Sequence, residues 1–375
     1  MRSPKVCSSQ HVDRLSNLPN HIIHHILSFL DAKYAVQTSV LAKGWRNLWT
    51  SVHVLHLNSN SFRRLRSFKK FVVAVLNKLN HNTTAGTFLF SYRGRIDDYL
   101  KERVIYFASF HGVGHLVLDL GCKRPPVSQA LLNCQTFKTI KLKNATFTTS
   151  FGFSKLTTLH LKHCLFSLVT NCFDFSDCLP NLSSLSLLGC DFTRFKVLKI
   201  SGPQLLNVTI RSMWYCYGGL SKGCKVEISA PKLTFLSYKE SHMVDFSVIN
   251  LPSLQHADVD VFLSYEEENE DIQYLLKFFQ GLYNVQSATL SYSTIQVCQD
   301  DYHICCVSAS FFCGFKSSFL LVLYLIYPHW NFIFFLTNVR NSCFRGIMLK
   351  EVKWNVKWNF FVASSKITNC LLLIC

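Results

Sequence analysis

Carboxylates are scarce in this chain: 22 Asp and Glu stand against 39 Lys and Arg over 375 residues, a formal net charge of +17. The imbalance is uneven. Residues 1–110 hold 16 Lys/Arg and 5 Asp/Glu, whereas residues 221–299 hold 5 and 10. A nucleic-acid binder needs a matching fold as well as charge, and no such motif is present, so no nucleic-acid partner is expected. The sharpest basic cluster, Arg63 to Lys70, runs into Phe68, Phe71, Val72, Val75 and Leu79 at helical spacing. It predicts an amphipathic helix over 65–79 with a solvated basic face. The acidic run from Glu266 to Asp271 lacks the alternating ligands and central glycine of a calcium loop. It reads as a solvated loop before a helix over 272–279.

Motifs that carry chemistry are missing too. No phosphate loop, Gly-x-Ser-x-Gly elbow, His-Glu-x-x-His helix or dinucleotide fingerprint occurs. Nothing assembles a nucleophile, a base and an oxyanion site, so no catalytic residue, cofactor or metal is expected. The sixteen cysteines include no Cys-x-x-Cys pair, and Cys164, Cys172, Cys178 and Cys190 stand at spacings foreign to structural zinc. Residues 1–20 contain no apolar stretch of the kind a signal peptide requires. The expected setting is therefore intracellular and reducing, cytoplasm or nucleus, with the thiols packed as small hydrophobes. His21, His24 and His25 have no carboxylate or cysteine at ligand spacing and are expected to face solvent.

What the chain does have is concentrated near its start. Ile22, Ile23, Ile26, Leu27 and Leu30 follow Pro19 at three- and four-residue steps, which makes one apolar stripe on a first helix. Asp31 is placed to cap a second helix through Val40, and Leu41, Trp45, Leu48 and Trp49 repeat the spacing on a third. Helices of roughly ten residues are marginal alone. A partner or the rest of the chain must cover the stripe.

Leu18-Pro19, the run Ile26-Leu-Ser-Phe-Leu30, Thr38-Ser-Val-Leu41 and Trp45-Arg-Asn-Leu-Trp49 together resemble the F-box of plant F-box/leucine-rich-repeat proteins of the FBD type. The resemblance covers residues 12–50. It implies that these helices dock on the Skp adaptor of an SCF ubiquitin ligase and, through it, join cullin and RING subunits. Carried over by position, the adaptor contacts are Leu18, Pro19, Ile22, Ile26, Leu27, Leu30, Val40, Trp45 and Trp49. Gly44 replaces the family's arginine and Tyr34 a common acidic residue. Glycine inside a helix costs about 1 kcal/mol relative to alanine, so the third helix is expected to be weak.

From 113 to 297 one phrase returns irregularly, clearest in Leu156-Thr-Thr-Leu-His-Leu-Lys-His-Cys164 and Leu182-Ser-Ser-Leu-Ser-Leu-Leu-Gly-Cys190. Both match the leucine-rich-repeat phrase. Each copy supplies a short strand that stacks in parallel on its neighbour, with alternate side chains entering the core. The fold class expected is α/β: a three-helix F-box followed by an irregular leucine-rich-repeat solenoid with a parallel sheet. Residues 51–112 connect the two and cap the solenoid, with strands near 52–57 and 88–90 and a helix over 98–110. Outward positions Lys141, Lys143, His160, Lys162, Lys199 and Arg211 are the candidate substrate-binding residues. Asp258 and Asp260 follow later, so the face passes from basic to acidic.

Residues 298–375 depart from the repeat and show no clear helical or strand periodicity. Ser318 to Leu336 approaches the roughly 20 apolar residues of a bilayer span, broken by Pro328, His329 and Asn331. Two expectations stand for this tail: membrane attachment, or an origin outside the native coding sequence through a retained intron or misassembled gene model. For the whole chain the leading expectation is a non-enzymatic substrate-recognition subunit of an SCF ligase, bound to an adaptor and to an unidentified target protein. The alternatives are a leucine-rich-repeat interaction protein with a nonfunctional F-box, and a truncated or membrane-attached family member.

Overall fold

A computed structural model describes residues 18–79, 85–212, 220, 224–241, 243–261, 269–282, 285–291, 294, 320–327, 330–337 and 345–349. The chain divides into two compact units, residues 1–137 and 138–375.

In the first unit, α1 (Asn20–Ser28) buries Ile23 and Leu27, and α2 (Ala32–Gln37) buries Ala32 and Ala35. Asp31 caps α2 as its position predicts, accepting the Lys33 backbone N–H at 2.9 Å. The expected third helix does not form. Two 3-10 turns, Lys43–Trp45 and Leu48–Ser51, replace it, with Asn47 between them at φ −120°. Gly44 explains part of this: a Cβ there would meet nothing within 4 Å, so no packing offsets its poor helix propensity. Trp45 and Trp49 still turn inward.

Three parallel strands follow: β1 (Val54–Asn58), β2 (Thr87–Ser91) and β3 (His115–Asp119). Between them run α3 (Leu65–Lys78) and α4 (Asp98–Phe110), and α5 (Gln129–Leu132) comes after. Register aligns Leu55, Phe88 and Leu116 in one row and Leu57, Phe90 and Leu118 in the next, all buried. Parallel strands need a long crossover, which the two helices supply. The basic cluster behaves as its spacing predicts: α3 buries Phe68, Val72, Val75 and Leu76 and leaves Arg66 and Lys70 exposed. Asp97 caps α4 through the Leu100 N–H and takes an ion pair from Lys69 at 3.0 Å. Those bonds hold its carboxyl below the usual range against the opposing effect of burial.

The second unit begins with β4 (Thr139–Lys143), β5 (Thr146–Phe147), β6 (Thr158–Lys162), β7 (Leu165–Phe166), β8 (Cys172–Asp174) and β9 (Ser184–Leu188). It continues through β10 (Val197–Ser201), β11 (Asn207–Arg211), β12 (Lys225–Ser229), β13 (Phe235–Glu240), β14 (Asp245–Asn250) and β15 (His256–Val261). Then come α6 (Asn269–Gly281), β16 (Ser287–Ser291), β17 (Leu320–Tyr327), β18 (Trp330–Thr337) and β19 (Arg345–Leu349). The sheet runs β4-β6-β9-β11-β13-β15-β16 in parallel. A second parallel sheet, β8-β10-β12-β14, uses strands between those of the first. The chain thus alternates between sheets as it advances.

The turns after the first three strands of the first sheet use the same device. Asn144, His163 and Gly189 follow β4, β6 and β9 directly, all at φ between 53° and 58°. Each donates its N–H to the next strand, to Lys162 O, Leu188 O and Arg211 O. Asparagine, histidine and glycine are the types that tolerate this left-handed region best. The residues after them, Ala145, Cys164 and Cys190, are buried, and Phe147, Phe166 and Phe192 stack at 4.8 and 4.5 Å between centroids. Burial, then the adjacent Cys164, pushes the Cys190 thiol well above its ordinary range, and burial takes Cys224 to about 11. These thiols are packed as small apolar groups, while Cys122 and Cys172 are exposed.

Part of the tail, whose sequence shows neither helical nor strand periodicity, forms strands. β17 pairs in parallel with β16, and β17, β18 and β19 pair antiparallel. An apolar segment with side chains on both faces shows no period-two pattern, which is why the alternation test misses it. Among the described residues no helix is long and apolar enough to cross a membrane. The remainder of the tail, with Pro328 and His329, and Glu266 to Glu268 of the acidic run lie outside the described residues, while Asn269, Glu270 and Asp271, expected in a loop, begin α6.

Candidate functional site

Two surfaces hold the residues singled out by the sequence. The first is on the F-box helices. Ile22 and Ile26 lie one turn apart on α1, each 39% exposed, and Phe29 continues their face at 75%. Val40 and Leu41, at 87% and 60%, add to the exposed apolar side chains just after α2. Pro19 is exposed, and Leu18 and Leu30 are half-buried.

Three of the expected contact residues lie inside the unit. Leu27, Trp45 and Trp49 are buried within the first unit and are not surface groups. The reason is geometric: Ile23 and Leu27, four residues apart, share the inner face of α1, while Ile22, Ile26 and Phe29 share the outer one. The single predicted stripe is two faces. Phe29 and Leu41 are exposed apolar residues that the positional carry-over missed, though the i, i+4, i+7 spacing from Ile22 points to Phe29. The histidines divide as well: His21 and His25 are exposed, with His25 edge-on to Phe29 at 4.9 Å, and His24 is half-buried.

The second surface is the outward face of the first sheet in the repeat unit. Register aligns Lys141, His160, Ser186 and Thr209 in one row, and Lys143, Lys162, Leu188 and Arg211 in the next. The rows continue into Ser237 and Asp258, and into Lys239 and Asp260. Lys141 and Arg211 are exposed, and Lys143, His160 and Lys162 half-buried. Burial, and then the charge of Lys141, holds the His160 imidazole below its usual value. Asp258 sits 3.0 Å from Lys239 Nζ and accepts the Ser237 hydroxyl at 3.1 Å.

Lys199 does not belong to this surface. It lies on β10, in the second sheet, 3.7 Å from Glu227 on the neighbouring β12. Its local phrase alternates like the others, and alternation alone does not say which sheet a strand joins. Among the described residues no cluster of three His, Cys, Asp or Glu side chains is placed to hold a metal ion. The first surface thus presents apolar side chains and the second charged and polar ones.

The F-box domain family matches residues 15–57. An Arabidopsis thaliana F-box/FBD/LRR-repeat protein is 26% identical over 302 residues, covering 76% of this chain and 66% of its own length. A second protein of that description from Arabidopsis thaliana is 28% identical over 306 residues, covering 76% and 63%. A putative F-box/LRR-repeat protein of Arabidopsis thaliana is 28% identical over 325 residues, covering 76% and 67%. The chain thus spans about two thirds of the length of the relatives it matches. The chain is thus similar to the F-box domain at its start and, over most of its length, to plant F-box/leucine-rich-repeat proteins.

Proposed function

We propose that this protein is the substrate-recognition subunit of an SCF ubiquitin ligase, with the F-box binding a Skp-type adaptor and the repeats binding a target protein. The observation that carries the reading is the outer face of α1 within a matched F-box: Ile22, Ile26 and Phe29 exposed together, close in sequence to exposed Val40 and Leu41. Solvent contact at so many large apolar side chains in a short segment marks an interaction surface. Burying them against a partner returns about 25 cal/mol per Å² of apolar area.

On this reading the chain has no chemistry of its own. Cullin and RING subunits, reached through the adaptor, bring the charged conjugating enzyme, and the repeats hold the target near it. The gain is proximity, since tethering converts a bimolecular encounter into one at high effective concentration. The cellular setting that follows is cytoplasm or nucleus.

Affinity purification of the tagged chain from plant cells, followed by mass spectrometry, tests the proposal. Skp-type adaptor and cullin peptides are the expected co-purifying species. Their absence, with the bait folded and abundant, would leave an interaction protein whose F-box does not engage the ligase.

A further inference from the structure

The basic cluster that opens α3 takes no part in the function proposed above. We infer that a groove along α3 is a further docking site of the first unit, distinct from the outer face of α1, and that it takes an acidic segment of a partner protein. Its carboxylates lie on Arg66 and Lys70 and an apolar side chain covers Val73 and Ala74. Arg66, Lys69, Lys70, Val73 and Ala74 share one side of α3 and, with Tyr92 just after β2, line a groove of about 640 Å³.

The cations of the groove are not equivalent. Lys69 is matched: it pairs with Asp97 at 3.0 Å and stands 5.5 Å from the Tyr99 ring centroid. Arg66 and Lys70, one turn apart, are exposed, and among the described residues neither makes an ion pair or a side-chain hydrogen bond. Every carboxylate in the described part of the unit is engaged elsewhere. Asp31 holds the Lys33 N–H and Ser61, Asp97 holds Lys69 and the Leu100 N–H, Asp98 and Glu102 face Lys101, and Asp119 accepts from the Gly121 N–H. Like charges at this helical spacing repel, so an incoming carboxylate relieves a strain that the unit itself leaves in place. The same charges steer an acidic partner toward the groove.

The dimensions and lining select the ligand's form. From Leu65 to Asn77 the groove follows α3 for about 18 Å at 1.5 Å per residue, the length of about five residues of extended chain. Beyond the cations, half-buried Val73 and exposed Ala74 give it an apolar floor. A segment that carries acidic and apolar side chains together satisfies both parts. Successive bases need open aromatic faces to stack on, whereas Tyr92 is buried and Tyr99 already has the Lys69 ammonium over its ring. A peptide fits the groove better than a nucleic acid.

The test uses the full chain co-expressed with a plant Skp adaptor and three fluorescein-labelled probes: a short Glu-Glu-Leu repeat peptide, its Lys-Lys-Leu counterpart and a single-stranded RNA of the same length. The acidic probe is expected to bind and the basic one not to. Arg66→Glu with Lys70→Glu should weaken that binding at least about 10-fold. Lys123→Glu with Lys155→Glu, the same charge change at two exposed lysines outside the groove, should leave it within about two-fold. Ala74→Glu, which sets a carboxylate in the floor and leaves both cations in place, should also weaken it. The neutral pair Arg66→Gln with Lys70→Gln should fall between, with an unchanged unfolding midpoint showing that the fold is intact. Equal losses from the two reversal pairs would assign the binding to net charge and overturn the inference. So would unchanged binding in Ala74→Glu, tighter binding of the RNA lost on the Arg66 and Lys70 changes, or no binding of the acidic probe. Adaptor capture is scored on the same samples and should survive Arg66→Glu with Lys70→Glu. Its loss there, with the fold intact, would make the groove part of the adaptor site and overturn the inference, whereas probe binding by a chain that captures no adaptor removes the ligase reading and leaves the groove standing.

Discussion

Ser61 donates its hydroxyl to Asp31 Oδ2 at 3.0 Å, while the other oxygen of the same carboxylate caps α2 through the Lys33 N–H at 2.9 Å. Lys33 completes the junction by donating its ammonium to the Ser61 carbonyl at 2.7 Å and lying 5.1 Å from the Phe62 ring centroid. One aspartate thus starts the second F-box helix and ties it to the turn after β1. Removing the cap in Asp31→Ala should cost about 1–2 kcal/mol, and Ser61→Ala about 0.5–1.5 kcal/mol. Because the two share a bond, the double variant should lose less than the sum in urea unfolding. Strict additivity would show that the Asp31–Ser61 bond contributes nothing.

The two faces of α1 predict different failures. Ile26→Asp with Val40→Asp should abolish adaptor capture while the circular dichroism and unfolding midpoint stay near those of the parent. Trp45→Ala should instead cost on the order of 3–5 kcal/mol through the cavity it leaves, and lose the adaptor by unfolding the helices. Adaptor capture that survives the Ile26 and Val40 changes would exclude this face as the docking surface.

Gly121 and Gly94 meet main chain to main chain in the first unit. Both have positive φ, at +84° and +90°, and a Cβ on Gly121 would collide with the Gly94 carbonyl oxygen. The Cys122 N–H also donates to that carbonyl at 3.0 Å. Gly121→Ala combines a left-handed backbone with a steric clash against main chain, which has no rotamer to escape to. A loss of at least about 2 kcal/mol is expected in thermal or urea unfolding, against under about 1 kcal/mol for Gly44→Ala in open space.

The sequence was most informative wherever a period and a boundary signal agreed. α3 and α4 appear with nearly their predicted ends because a charged or polar entry precedes a run of helical spacing in each. The strand phrases at Leu159 and Leu185 likewise occupy the first sheet in register. Sorting of side chains between faces was less legible. Leu27 and Ile26 are neighbours in one hydrophobic run, and the periodicity alone does not say which of them is covered. Lys199 shows the same limit at the level of strands: its phrase was visible, but its assignment to the second sheet depends on the length of the connections from β9 to β11. The 18 residues between Leu188 at the end of β9 and Asn207 at the start of β11 accommodate an extra strand, which is a signal of spacing that a search for the leucine phrase alone passes over.

Glu240 carries the sharpest pH dependence. It ends β13, is buried, and leaves Oε2 with no hydrogen-bond partner. Burial raises its pKa from 4.5 to about 7, and a hydrogen bond from Ser212 offsets part of that rise. A raised carboxyl pKa means that the folded state binds the proton more tightly than the unfolded chain does. Its contribution is therefore fully present below pH 4.5 and is lost as pH climbs through about 7. The loss is on the order of 3 kcal/mol, from 1.36 kcal/mol per pKa unit. Glu240→Gln keeps the shape and cannot ionise, so it should match the parent near pH 4.5 and exceed it by roughly 1–3 kcal/mol at pH 8. Urea midpoints of the two proteins across that range provide the measurement. The curves should diverge as pH rises; parallel curves would mean that water or a local opening solvates the carboxylate, and that its burial in the ordered repeat is not maintained.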